Sequence, residues 1–156
     1  MDIIPNAQPS FNSVLLIDDD YIANIYNQKI LEVASFSKNI VAQKSGFDAL
    51  DYLAQNTLNL PDVIFLDIRM PGMDGFEFLE TYDKMKESFI KSPKIIMLSS
   101  TLDDKDKQRA LKSTSVTSLF EKPLNDSKVK EIISLLSGEH SKGWETLMIA
   151  TFDSKG

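Results

Sequence analysis

Cysteine is absent from this chain of 156 residues, which excludes disulfides, a thiol nucleophile and a thiolate zinc site. Its single histidine, His140, excludes a metal centre built from several imidazoles. Long apolar runs are missing too: the longest cover about four or five residues, against about 20 for a membrane-spanning helix. The opening MDIIPNAQPSFN has no basic stretch leading into an apolar one, so it does not read as an export signal. The cytoplasm is therefore the expected compartment, without membrane insertion. Positive charge is scarce as well. Lys and Arg number 17 against 23 Asp and Glu, giving a net charge of -6. No basic patch is visible, and direct nucleic-acid binding is not expected.

What is present describes one globular domain. Hydrophobic residues at 42% and charged residues at 26% are ordinary values, and the length suffices for a sizeable core. Short apolar runs alternate with longer amphipathic segments, the pattern of a parallel sheet covered by helices. Val14 to Ile17, Ile40 to Ala42, Val63 to Leu66, Ile95 to Leu98 and Val116 to Phe120 predict five strands. Helical spacing recurs in Ile22, Ile25, Tyr26, Ile30 and Val33, in Ala49, Leu50, Leu53 and Ala54, and in Val129, Ile132, Ile133 and Leu136. Start signals stand at Ser45, three residues before Asp48, at Asp74, three before Glu77, and at Asn125, which Leu124 and Val129 flank as a hydrophobic staple. Five helices follow. The fourth, about Asp103 to Lys112, carries a thin apolar stripe, so mobility is expected there, and its charges read as a solvated face. Residues 1–12 read as a flexible lead and 138–156 as a tail of uncertain order that holds Trp144, Leu147, Met148, Ile149 and Phe152. The tail is too short for a second domain, so no attached output domain is expected.

The stretch FLDIRMPGMDG places Asp67 directly after an apolar strand, where an unpaired charge would be costly. In a doubly wound sheet ligands bind beyond the carboxyl ends of the strands. The residues at those ends are Asp18 and Asp19, then Asp67, Ser99 and Lys122. With strand order 2-1-3-4-5 the three carboxylates converge. Two like charges about 4 Å apart cost about 4 kcal/mol at an effective dielectric near 20, so the cluster calls for a divalent cation. Mg²⁺ suits hard oxygen ligands and leaves positions for phosphate oxygens. Lys122 and Ser99 are then free to hold a phosphoryl group, and a carboxylate can accept one covalently.

The runs VLLIDDD, VIFLDIRMPGMDG, KIIMLSS and LFEKPL, in this order and spacing, resemble the receiver domain of bacterial two-component response regulators over about residues 13–137. The resemblance implies a flavodoxin-like α/β fold, with Asp67 as acceptor of a phosphoryl group from a histidine kinase or phosphotransfer protein. It implies that Asp19 binds Mg²⁺ directly, that Asp18 supports it through water, and that the backbone carbonyl of Arg69 is a further ligand. Ser99 becomes the switch hydroxyl and Lys122 the phosphate-contacting amine, and the Lys122–Pro123 peptide is expected to be cis. A downstream protein partner is expected on the surface of the fourth helix, fifth strand and fifth helix, in a monomer or weak homodimer. Such a module is a signalling protein rather than an enzyme, limited to its own phosphorylation and slow dephosphorylation. Arg69 and Thr101 stand where the family tunes hydrolysis, and a long Arg69 side chain is expected to shield the phosphoryl group.

Three positions depart from the family pattern. Leu119 stands three before Lys122, where an aromatic residue is usual, and Phe120 lies one later. Ser113-Thr114-Ser115 replaces a Gly-Ala pair, and the hydroxyl is Ser rather than the commoner Thr. A rival reading is a phosphohydrolase resembling the haloacid dehalogenase group, with Asp18 and Asp20 as its Asp-x-Asp pair. It leaves FLDIRMPGMDG unexplained. A receiver that works without phosphorylation would not need all five site positions, and all five are intact.

Overall fold

The computed structural model describes residues 8–138. Strands and helices alternate as β1 (Phe11–Ile17), α1 (Tyr21–Val33), β2 (Ser37–Gln43), α2 (Gly46–Gln55), β3 (Val63–Asp67) and α3 (Gly75–Met85). They continue, after a 3-10 turn at Lys86–Ser88, as β4 (Lys94–Ser99), α4 (Asp104–Lys112), β5 (Val116–Glu121) and α5 (Asp126–Leu136). The five strands are parallel in the order β2-β1-β3-β4-β5. Fold class and strand order are those expected from the sequence. The tail residues, His140 and Trp144 among them, lie outside the described residues.

Successive strand residues point to opposite faces, and the core divides accordingly. Leu15, Ile17, Ile64, Leu66, Ile95, Met97 and Leu119 meet α2, α3 and α4 on one face. Val14, Leu16, Val63, Phe65, Ile96, Leu98 and Phe120 meet α1 and α5 on the other. A register shift against β4 places Val116 opposite Ile95 and Ser118 opposite Ile96, so Thr117 is the extra residue. Leu119 is consequently buried on the α4 face, and Phe120, on the opposite face, is no substitute for a missing aromatic residue beside α4.

Helix starts follow their caps. Asp20 accepts hydrogen bonds from the Ile22 and Ala23 N–H groups, Ser45 from Asp48, and Asn125 from Lys128. Asp74 and Glu77 form a reciprocal capping box at α3.

Three expectations change. β1 begins at Phe11, two residues inside the expected lead, because the Phe11 N–H donates to the Phe36 carbonyl at 2.9 Å and the two rings pack at 4.8 Å. In α1 the inward face is not the Ile22, Ile25 and Tyr26 stripe: these are 68%, 47% and 43% exposed, whereas Asn24, Asn27 and Leu31 are buried. Asn24 turns inward because its side-chain amide donates to the Asp18 carbonyl at 2.9 Å. In α4, Asp106 and Lys107 are buried, so its charges are not all on a solvated face.

Candidate functional site

The carboxyl ends of β1 and β3 are neighbours, Ile17 standing opposite Leu66, so the residues that follow them converge. Ligand atoms of Asp18, Asp19 and Asp67 all lie within 4.8 Å of one another, with Asp18 and Asp67 buried and Asp19 exposed. Lys122, just past β5, reaches back over the sheet edge. Its Nζ is 2.7 Å from Asp18 Oδ2 and 3.0 Å from Asp67 Oδ1. The Lys122 N–H donates to the Ser99 carbonyl at 2.7 Å, and the Lys122–Pro123 peptide is cis.

Local chemistry holds each carboxylate. Asp18 Oδ1 accepts from the Asp20 N–H at 2.9 Å, while its own carbonyl accepts from Asn24. Asp67 closes β3, and the turn beyond it runs through Gly72, whose φ of +80° suits glycine. Gly75 serves a different need. A Cβ there would stand 2.7 Å from the Asp67 carbonyl oxygen and 3.1 Å from Ile68 Cα, so only glycine lets α3 start this close to the Asp67 backbone. Met70 is buried in the core, and Met73, partly buried, packs against it.

One ammonium faces three carboxylates. Burial raises the Asp67 pKa to about 6; the bond from Lys122 opposes that rise, and the nearby Asp18 and Asp19 charges add to it. Burial would lower the Lys122 pKa, but its bonds to Asp18 and Asp67 carry it above the ordinary value. Lys122 thus keeps its proton, and the cluster as ionised retains about two uncompensated negative charges. An all-oxygen, net-negative donor set of this kind fits a hard divalent cation.

Ser99 ends β4 and is buried. Its hydroxyl donates to the Thr101 carbonyl and accepts from the Thr101 N–H at 3.2 Å. The Arg69 side chain turns to α4, its Nη2 2.5 Å from Asp106 Oδ2 and 3.6 Å from Asp103 Oδ2. Burial raises the Asp106 pKa even with Arg69 beside it. Asp20 caps α1 through Oδ1, which accepts from the Ile22 and Ala23 N–H groups.

Comparison with known proteins identifies the family. A family model described as the response regulator receiver domain matches residues 14–134. The chain belongs to this family. The receiver domain is 31% identical over 134 residues to the probable methanogenesis regulatory protein FilR2 of Methanothrix harundinacea, covering 84% of each chain. It is 30% identical over 133 residues to hybrid signal transduction histidine kinase L of Dictyostelium discoideum, where 83% of this chain spans 8% of that protein. The crystal structure of a two-component response regulator from Cytophaga hutchinsonii superposes with a TM-score of 0.76 at 29% identity, covering 82% of this chain and 98% of that one.

Sequence reading overlooked three buried polar residues. Asn24 and Asn27 lie three apart on one helix face, a spacing that could have disclosed a buried polar side of α1. For Asp106 no local signal exists, since it sits among Asp103, Asp104 and Lys105.

Proposed function

We propose that this receiver domain is a phosphoacceptor module of a two-component phosphorelay, with Asp67 as the acceptor, and that the reaction depends on Mg²⁺. The observation that carries this reading is the convergence of three carboxylates on one lysine at the carboxyl edge of the sheet. Asp18, Asp19 and Asp67 would hold the metal, joined by the Arg69 carbonyl. Bound there, Mg²⁺ would neutralise charge on the carboxylates and on the transferring phosphoryl oxygens. A related fold, the receiver domain of an Arabidopsis thaliana histidine kinase, has been solved with Mg²⁺.

The residues act as follows. An Asp67 carboxylate oxygen forms a bond to phosphorus as the bond from phosphorus to the donor's imidazole nitrogen breaks. The electron pair stays on that nitrogen, which then takes up a proton from solvent. Lys122, already charged, moves from Asp67 to the transferred oxygens. Ser99 gives up its Thr101 carbonyl contact to donate to the same group. The donor is a histidine kinase or phosphotransfer protein, and the surface formed by α4, β5 and α5 changes its affinity for a downstream protein.

Incubation with Mg²⁺ and a small acyl phosphate, followed by intact-mass measurement, tests this. One phosphoryl adduct is expected, absent in Asp67→Asn and absent when the metal is chelated. Labelling that persists in Asp67→Asn would refute the assignment.

A further inference from the structure

The helices on the Leu119 face are not held equally. α2 buries Ala49, Leu50 and Leu53, and α3 buries Phe76, Phe78, Leu79 and Tyr82. Among apolar residues α4 buries Ala110, and the other buried positions of the helix are the charged Asp106 and Lys107. Within the helix its amino-terminal turn is therefore held by charge, while Leu102, just ahead of the cap, packs partly against the core. Asp106, with a side chain 2% exposed, is bonded to Arg69, and Asp103, the cap of the same helix, lies within ion-pair distance of that guanidinium.

Arg69 stands two residues after Asp67, and its side chain is 53% exposed, so it has room to pivot. We propose that Arg69 is the positioning residue that carries phosphorylation of Asp67 to α4, holding Asp106 and Asp103 before the reaction and turning to the phosphoryl oxygens after it. This rests on the reading of Asp67 as the acceptor.

A phosphoryl group offers three acceptor oxygens and up to about two negative charges, which a guanidinium engages in bidentate fashion. Once Arg69 leaves, Asp106 is a solvent-excluded carboxylate that has lost its ion-pair partner, a costly state. The first turn of α4 must then shift until Asp106 reaches water.

The test uses the full chain with Mg²⁺ and beryllofluoride as a phosphoryl mimic. Two quantities are read: amide hydrogen exchange across Asp104–Lys112, and beryllofluoride affinity. In the wild type, exchange in α4 should rise about fivefold or more on addition of the mimic, a typical coupling factor. Asp106→Asn, isosteric and uncharged, removes the shorter of Arg69's two ion pairs in advance. It should exchange faster without the mimic, respond little to it, and bind it more tightly by that same factor, since coupling between two sites is reciprocal. Arg69→Gln should also loosen α4 but bind the mimic no more tightly, which separates a switching role from a structural one. Asp103→Asn keeps a good helix cap and should shift both quantities in the direction of Asp106→Asn by a smaller factor.

Beryllofluoride affinity unchanged in both Asp106→Asn and Asp103→Asn, or an α4 response in Asp106→Asn as large as the wild type's, would overturn the inference. Failure of the wild type to bind the mimic or to label at Asp67 would overturn the acceptor reading, and this inference with it.

Discussion

Strand β3 has a carboxylate at each end, and the two meet opposite fates. Asp62, just before the strand, is satisfied: it accepts from the Asn12 and Ser13 N–H groups at 2.7 and 3.2 Å and from Lys91 at 2.5 Å. Burial alone would raise its pKa, but Lys91 and the two backbone donors carry it below the ordinary value. Asp67, at the other end, shares one lysine with Asp18 and has Asp19 beside it, and its pKa rises to about 6. The difference teaches what separates a carboxylate whose charge is met from one whose charge is not. Donors fill the lone pairs of Asp62, whereas the environment of Asp67 leaves a deficit of positive charge that a divalent cation would make up.

The sharpest way to break the comparison is to exchange roles by substitution. Asp67→Asn should abolish phosphoryl labelling, and Asp62→Asn should leave its extent unchanged, as read by mass after acyl phosphate treatment.

The next largest effect is in pH. Folded, metal-free protein binds the Asp67 proton more tightly than the unfolded chain does, at about 6 against 3.8. The stabilisation that Asp67 confers is thus fully present below about pH 3.8 and lost as pH rises through about 6. Urea unfolding should show the wild type losing up to about 3 kcal/mol relative to Asp67→Asn between pH 3 and 7. Asp62 has the opposite sign. Its contribution is present above the unfolded value and lost as pH falls through its lowered folded value, so the gap between wild type and Asp62→Asn should close on acidification.

Mg²⁺ sharpens the same contrast. At about 100 times its dissociation constant it should add about 2.7 kcal/mol to the wild type and to Asp62→Asn, with a smaller gain in Asp67→Asn, measured by thermal unfolding. The smallest effect is the cost of Asp62→Asn at pH 7, about 1–2 kcal/mol, because charge-assisted bonds become neutral ones at a partly exposed position.

Much of this was legible along the chain because it depends on local rules. Apolar runs bounded by carboxylates mark strands that end at a polar edge, and caps such as Asp74 with Glu77 are set by neighbours a few residues away. The orientation of α1 was not legible. Its isoleucines have helical spacing, yet the face that turns inward carries Leu31, Asn27 and Asn24, the last bonded to the Asp18 carbonyl. Nor was the burial of Asp106, because a run of alternating charge looks the same whether one member meets water or a distant arginine.

By itself, the order of residues determined the strand and helix succession, the residues at the carboxyl edge and their likeness to a receiver domain, because these follow from periodicity, capping and motif spacing. Only the tertiary structure decided that Lys122 bonds both Asp18 and Asp67, that Leu119 faces α4 while Phe120 faces away, and that Arg69 holds α4 through Asp106. Each of these joins residues far apart in the chain, where the register of neighbouring strands, the burial of charge and the reach of a side chain settle which groups meet.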